Sequence, residues 1–422
     1  MLRLVLASVC AAALLPLAAG EAEAQTLYRF NGVQLFDGAY GAIARLQGRL
    51  RDELATCKST TVVAVDGRFG DGTRKALAEL AACPSFAAGL SSDARARAGE
   101  VTVAYWNALV RSAPPGVDER AKTLMLTFEA TDYIRAEWNF CQSKPLYDPN
   151  IPKSVCFSND PHSYLTWGPN GATAGNGREV QLILQDLDSH APGLIERSFG
   201  AQAAAVRRTY VLQNGTPSRT LETYLCGIWS SPAARATWRN GFKMLGQAIE
   251  TRQAYDRLYA SKSLDGGKIA TFYRIYAAHG LTPTEIDYGF FKDRAAHTTP
   301  NAKLIDAAVK DELASGRPSP WKVRRAIALL VRPTGRPVDR LGRDIAYYVD
   351  GAGVAGLSAE ELSAWRHRGP ASASQLGLSD DRPGPTFSPG PAIDTSIAKP
   401  GSLTSAEIAA CPAAILATRR PS

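Results

Sequence analysis

Between Gly41 and Cys83 two helical repeats are separated by VAVDGRFGDGT, a stretch that no helix accommodates. The first repeat sets Ile43, Leu46, Leu50 and Leu54 on one face. Asp66-Gly67 and Gly70-Asp71-Gly72 then signal turns. A second helix is expected through Leu80, with Asp71 or Thr73 as its cap. A helix, a tight turn and a helix bury little apolar surface. A bridge between Cys57 and Cys83 is therefore expected to compensate.

The residues before this unit read as a leader. Arg3 precedes an apolar run from Leu4 to Ala19, and Ala22-Glu23-Ala24 forms a small-x-small cleavage site. Residues 1–24 are expected to be removed as a signal peptide. The protein is then exported, to the periplasm or the medium. No later stretch is long and apolar enough to span a bilayer, so no stable membrane insertion is expected. Removing Arg3, Glu21 and Glu23 takes the formal charge from +8 to +9. A basic exported protein suits anionic partners such as wall polymers. The Lys and Arg are scattered without a recognition-helix pattern, which argues against nucleic acid.

Six cysteines remain after Cys10 is removed with the leader. Export and an even number favour disulfides. Proximity pairs Cys57 with Cys83 and Cys141 with Cys156, leaving Cys226 with Cys411 by elimination. No CxxC spacing occurs and histidines are few, so neither a metal site nor a cofactor is expected.

Leu46-Gln47, then Val65-Asp66-Gly67-Arg68-Phe69-Gly70, then Thr73 and Ala76, resemble the peptidoglycan-binding type 1 module. The resemblance spans about residues 31–85 and implies wall binding. Asp66 and the glycines shape the turn, Phe69 packs between helices, and Thr73 starts the second helix. The family's Phe-Gln ending of that helix is replaced here by Leu80-Ala81-Ala82-Cys83.

Residues 27–95 are thus expected as a peptidoglycan-binding-like domain and 96–116 as a linker around a helix at Val103–Val110. Residues 117–350 form a larger, mainly helical domain. Residues 351–422, rich in Pro, Gly and Ser over 369–403, are expected as a largely disordered tail ending in a short helix.

Two segments of the large domain carry chemistry. In KTLMLTFEATDYIRAEW a helix is read through Trp138, with Leu124, Phe128, Thr131 and Trp138 on its apolar side. On that reading Glu129 and Asp132 share a face at i+3. HSYLTWGPNGATAGNGREVQLILQDL reads as a strand, a turn at Gly168-Pro169-Asn170-Gly171, a second strand, and a helix from near Arg178. A helix, a Gly-rich β-hairpin and a core helix in that order resemble the lysozyme superfamily, including lytic transglycosylases and chitosanases, in which a Glu at the end of the first core helix is the general acid. Thr127-Phe128-Glu129 resembles its acid motif, Gly171-Ala172-Thr173-Ala174-Gly175 its hairpin, and Gly177-Arg178-Glu179-Val180-Gln181 its helix entry. The resemblance covers about 60 residues. It implies an α+β lysozyme-like domain with a β-hairpin cleft wall, and a mainly α protein.

It also implies an exported glycoside hydrolase or lytic transglycosylase. That enzyme cleaves β-1,4 links between amino sugars of peptidoglycan or a related polymer, with Glu129 as general acid. An apolar setting at Phe128, Tyr133 and Trp138 would raise its pKa and keep it protonated. Inverting enzymes want carboxyls about 6.5–9.5 Å apart and retaining ones about 5–5.5 Å. Glu137, eight residues along a helix from Glu129, fits neither. Glu179 is the second catalytic candidate, with Asp160 behind it, and His162 is a candidate to tune a carboxylate. Asp132, Thr166, Trp167, Thr173 and Gln181 are candidate substrate contacts. The aromatics between Ile269 and His297 read as core, and no spacing there gives Asp287, Asp293 or Arg294 a role. A chitosanase and a non-catalytic wall-binding protein are the alternatives.

Overall fold

The computed structural model describes residues 24–86, 94–138, 165–174, 179–207, 212–213, 216–217, 231–316, 318–332, 337–349, 356–368 and 371–393. The described chain is mainly helical with a few small antiparallel sheets. Contacts divide it into two units. Unit 1 comprises 1–130 and 271–387, and unit 2 comprises 131–270 and 388–422.

Unit 1 begins with β1 (Thr26–Arg29) and β2 (Leu35–Phe36), followed by α1 (Ala42–Thr56). Ile43, Leu46, Leu50 and Leu54 lie at helical spacing and all four are buried. Strand β3 (Arg68–Phe69) pairs with β2 and leads into α2 (Asp71–Ala81). The N-cap of α2 is Gly70, so neither Asp71 nor Thr73 caps it. The turn between the helices is organised by Gln47, which is 2% exposed. Its Nε2 donates to Asp66 Oδ1 at 3.0 Å, Arg68 O at 2.9 Å and Thr73 Oγ1 at 3.1 Å. Its Oε1 accepts from the backbone N–H of Asp66 and Gly67 at 3.0 and 2.9 Å. The residues that carry the module resemblance are therefore those that fix the turn. Gly67 has φ +72°, and a Cβ there would sit 2.0 Å from the Gly38 carbonyl oxygen. Cys57 and Cys83 are bridged across the helix pair. The other two expected bridges fall outside the described residues, as do nearly all of the leader, Asp160 and His162.

The stretch expected as a linker is structured. Strand β4 (Glu100–Thr102) pairs antiparallel with β1, and Thr102 caps α3 (Val103–Val110) by accepting from Tyr105 N. Trp106 is fully buried, its ring 6.4 Å from that of Tyr28. Large aromatics on a short helix bury enough surface to hold it against the strands. Helix α4 (Val117–Glu129) follows. Its Thr127 Oγ1 accepts from Phe36 N at 2.9 Å, which ties it to β2.

In unit 2, β5 (Ala136–Trp138), β6 (Leu165–Trp167) and β7 (Ala172–Ala174) form a three-stranded antiparallel sheet. Gly168 and Gly171, at φ +74° and +64°, make the turn between β6 and β7. Helices α5 (Glu179–His190), α6 (Leu194–Phe199), α7 (Pro232–Gln247) and α8 (Ile249–Tyr259) enclose one core. Trp167, Trp238, Phe242 and Tyr255 meet edge to face there. Helix α9 (Asp265–Ala278) carries the chain back into unit 1.

Unit 1 resumes with α10 (Glu285–His297), α11 (Ala302–Ala314), α12 (Pro320–Leu330), α13 (Pro337–Ile345) and α14 (Ala359–Arg368). Thr284 and Asp287 form a capping box at the start of α10. Residues 371–387, expected as disordered tail, are instead bound to unit 1. Gln375 Nε2 donates to Val33 O at 3.1 Å, and Arg324 grips Asp380 at 2.7 and 2.9 Å. Arg382 pairs with Glu285 at 2.7 Å. A Pro- and Gly-rich segment makes no core of its own, but ion pairs and backbone hydrogen bonds hold this one on an existing surface. Residues 388–393 are likewise bound to unit 2, where Gly390 N donates to Ala260 O at 2.8 Å.

Candidate functional site

Glu129 is the last residue of α4, and Ala130 adopts a left-handed conformation (φ +52°) that ends the helix. The single helix expected through Trp138 is therefore two elements of different kind. Thr131, Tyr133 and Ile134 are β-branched or aromatic, and Asp132 Oδ1 accepts from Ile134 N at 3.1 Å. That local bond competes with helical pairing and turns the chain into β5. Asp132 consequently does not share a helix face with Glu129, and the two fall in different units.

The surroundings of Glu129 also differ from expectation. Its Oε1 lies 2.9 Å from His297 Nε2, at the end of α10, and pairs with Arg343 Nη1 from α13. The Arg343 guanidinium also stands 5.1 Å over the Phe128 ring. Burial alone would raise the carboxyl, but the His297 hydrogen bond and the Arg343 charge outweigh it and hold Glu129 down at about 2. The apolar environment expected to keep Glu129 protonated is replaced by a cationic one.

Behind this pair runs a buried chain of charges. Arg343 also pairs with Asp293, which Arg340 grips from the other side. Arg340 reaches Asp344 at 2.8 Å, and Arg294 reaches the same carboxylate at 2.8 Å. Asp293 and Asp344 are fully buried. Burial opposes the charge on Asp293, but Arg340 and Arg343 hold its pKa far below the carboxylate range. Such an assembly keeps Asp293 ionised and fixes the direction in which Arg343 points.

Unit 2 carries a second polar arrangement. Glu137, Thr166 and Thr173 are cross-strand neighbours in register on β5, β6 and β7, and so share one face of the sheet. Glu179 Oε2 accepts from both Thr173 N and Thr173 Oγ1, at 3.1 and 2.9 Å. Glu137 is paired with Arg135, but burial dominates and raises its carboxyl above the ordinary range. Reading this stretch as helix set Glu137 aside on its distance along that helix. Strand alternation in Ala136-Glu137-Trp138, with apolar residues flanking the acid, is the signal that finds it.

Two candidate contacts belong to the core. Trp167 is fully buried, with its Nε1 donating to Tyr133 O at 2.6 Å and its ring against Phe242 and Tyr255. A tryptophan on the inward face of a hairpin with that much apolar area is worth more in the core than at a sugar. Gln181 is 2% exposed on the inner side of α5, so it does not reach a surface ligand. Thr166 and Thr173 remain half-buried. A cavity of about 410 Å³ in unit 1, lined by Trp321, Arg325, Tyr348 and Leu357 among others, does not include Glu129. Among the described residues no group of three or more metal-ligating side chains converges.

Comparison with known families, curated proteins and solved structures finds no match to this chain.

Proposed function

We propose that this protein is an exported cell-wall glycoside hydrolase that acts on β-1,4 links between amino sugars of peptidoglycan, with Glu129 as the group that protonates the leaving oxygen. The observation that carries this reading is the placement of Glu129. A helix end delivers a carboxylate whose side chain stays 25% exposed, while a buried ion network fixes its partner Arg343. Such a carboxyl is oriented yet reachable, as glycosidic proton transfer requires. The disulfide-closed helix pair built around Gln47 supports a wall-binding role for the N-terminal residues through its likeness to peptidoglycan-binding modules. In unit 2 the half-buried Thr166 and Thr173, with Glu179 at their edge, offer hydroxyl and carboxyl partners of the kind that sugar hydroxyls use.

One observation favours a second reading. A Glu129 held at about 2 carries no proton at neutral pH in the unliganded protein, which suits a non-catalytic wall-binding protein. A chitosanase fits less well, because a chain of formal charge +8 meets a cationic polymer. Mass spectrometry of products from purified peptidoglycan, and from chitosan in parallel, decides among them when run on the protein and on Glu129→Gln. Fragments made only by the unsubstituted protein support the hydrolase, and their anhydro or reducing ends assign the reaction. Co-sedimentation with the wall and no fragments from either polymer supports the binding protein.

A further inference from the structure

The proposed hydrolase has a gap in its proton supply. With the carboxyl held at about 2, roughly one Glu129 in 10⁵ is protonated at pH 7. An acid so rarely loaded is a poor donor, since general acids work best when their pKa lies near the working pH. The proton must then come from a neighbour. Arg343 touches Glu129, but a guanidinium does not give up a proton in a protein. Its role is to orient and to hold charge.

His297 is the other neighbour. Its Nε2 is 2.9 Å from Glu129 Oε1, and its side chain is 33% exposed, which lets solvent reload it. Three charged groups face it. Glu129 comes from α4, Arg343 from α13, and Asp293 from one turn back on α10 itself, with Arg340 on the far side of Asp293. His297 also occupies the last turn of α10, where the helix dipole favours a cation.

Resting on the hydrolase reading above, we propose that His297 is the proton store for Glu129, passing its Nε2 proton to Glu129 Oε1 as Glu129 protonates the glycosidic oxygen. The bookkeeping closes on water alone. The Nε2–H bond breaks and a Glu129 O–H bond forms. That O–H bond breaks in turn and its proton goes to the leaving oxygen, which keeps the electron pair of the breaking C–O bond. A water oxygen bonds to the sugar carbon and releases one proton to solvent, and the neutral imidazole takes a proton back from solvent. His297 acts through Glu129 and is a positioning and relay residue, while Glu129 touches the substrate.

The test measures fragment release from purified peptidoglycan as a function of pH, for the protein and for Glu129→Gln, His297→Gln and His297→Ala. Relay predicts that His297→Gln loses about 10²-fold or more in kcat with KM little changed, and that the pH profile of the unsubstituted protein's rate is lost, the remaining rate falling with rising pH as Glu129 alone deprotonates. It also predicts that added free imidazole restores part of the rate of His297→Ala. Imidazole NMR supplies a readout that needs no turnover. The His297 imidazole nitrogen signals are expected to move in Glu129→Gln, because the Nε2 partner at 2.9 Å changes from a carboxylate to an amide. If His297→Gln keeps the rate and its pH profile while Glu129→Gln is inactive, the relay is refuted and the hydrolase stands. An unsubstituted protein that releases no fragments removes the hydrolase and the relay with it. Unchanged His297 imidazole signals in Glu129→Gln remove the coupled pair whatever the activity.

Discussion

Gln47 offers a sharp test of how the N-terminal turn is held. Its amide meets five groups, three as donor and two as acceptor, and is 2% exposed. In Gln47→Ala the backbone N–H groups of Asp66 and Gly67 lose this acceptor inside the protein. An unsatisfied buried group costs about 1–3 kcal/mol, and the space left by the side chain adds a packing loss. The sum is about 3–5 kcal/mol. Gln47→Glu keeps the shape and one acceptor oxygen. Its other oxygen, however, faces Asp66 Oδ1 and Arg68 O, both acceptors. That variant is expected to be destabilised at neutral pH and to recover as pH falls. The carboxyl introduced there is buried and has its folded pKa raised, so the penalty is present above that value and relieved below it. Urea unfolding followed by circular dichroism and tryptophan fluorescence, at pH 7 and at pH 5, measures both effects. A loss under 1 kcal/mol for Gln47→Ala, or a Gln47→Glu penalty that does not change with pH, would refute the claim that this amide organises the turn.

Three further outcomes are expected. Reducing the Cys57–Cys83 bridge, which closes a separation of 26 residues, removes about 3.5 kcal/mol of chain-entropy stabilisation; thermal unfolding with and without reductant reads it. Gly168→Ala puts a Cβ 2.3 Å from Tyr255 Oη in a left-handed conformation, and is expected to cost about 2–4 kcal/mol in chemical denaturation. Because Glu129 is lowered from 4.5 to about 2 by His297 and Arg343, against the opposing effect of burial, its contribution is full above about pH 4.5. It is lost as pH falls toward 2. Glu129→Gln should therefore flatten that part of the stability–pH curve by on the order of 3 kcal/mol, checked by urea titrations at stepped pH.

What local sequence encodes was legible, and what long separation encodes was not. The face of Ile43, Leu46, Leu50 and Leu54, the turn at Gly67, the pairing of Cys57 with Cys83 and the hairpin at Gly168–Gly171 each depend on residues close in the chain. Periodicity, turn chemistry and short loop closure report on them directly. The end of α4 was missed because a short strand after a helix, with an acid between Ala136 and Trp138, can be laid on a helical wheel without obvious conflict. Trp167 was misassigned because a hairpin tryptophan gives no sign of which face is inward until the helices that cover it are placed. The partners of Glu129 were invisible for a simpler reason. His297 and Arg343 lie 168 and 214 residues away, as numbered in the sequence, and nothing near Glu129 encodes that distance. The segment 371–387 misled through composition, since a chain poor in apolar residues still docks when Arg324, Glu285 and Val33 O supply partners.

The short helical turn at Ala373–Leu376 has a consequence for how the molecule comes into being. Its Gln375 donates to Val33 O, and Leu376 O accepts from Arg120 at 2.6 Å, so the first strand region and α4 are completed by residues made hundreds of positions later. A chain synthesised from its N-terminus cannot finish unit 1 until those residues have emerged. Residues 131–270 are all available before then and can gather their aromatic core first. Closing unit 1 is then the late, non-local step, slowed by the entropy of joining distant ends. Until that step is taken, the edge of β1 and the flank of α4 stay uncovered and open to the wrong partners. A stop codon before Ala373 would therefore act on the beginning of the protein, leaving its first strand without the segment that covers it.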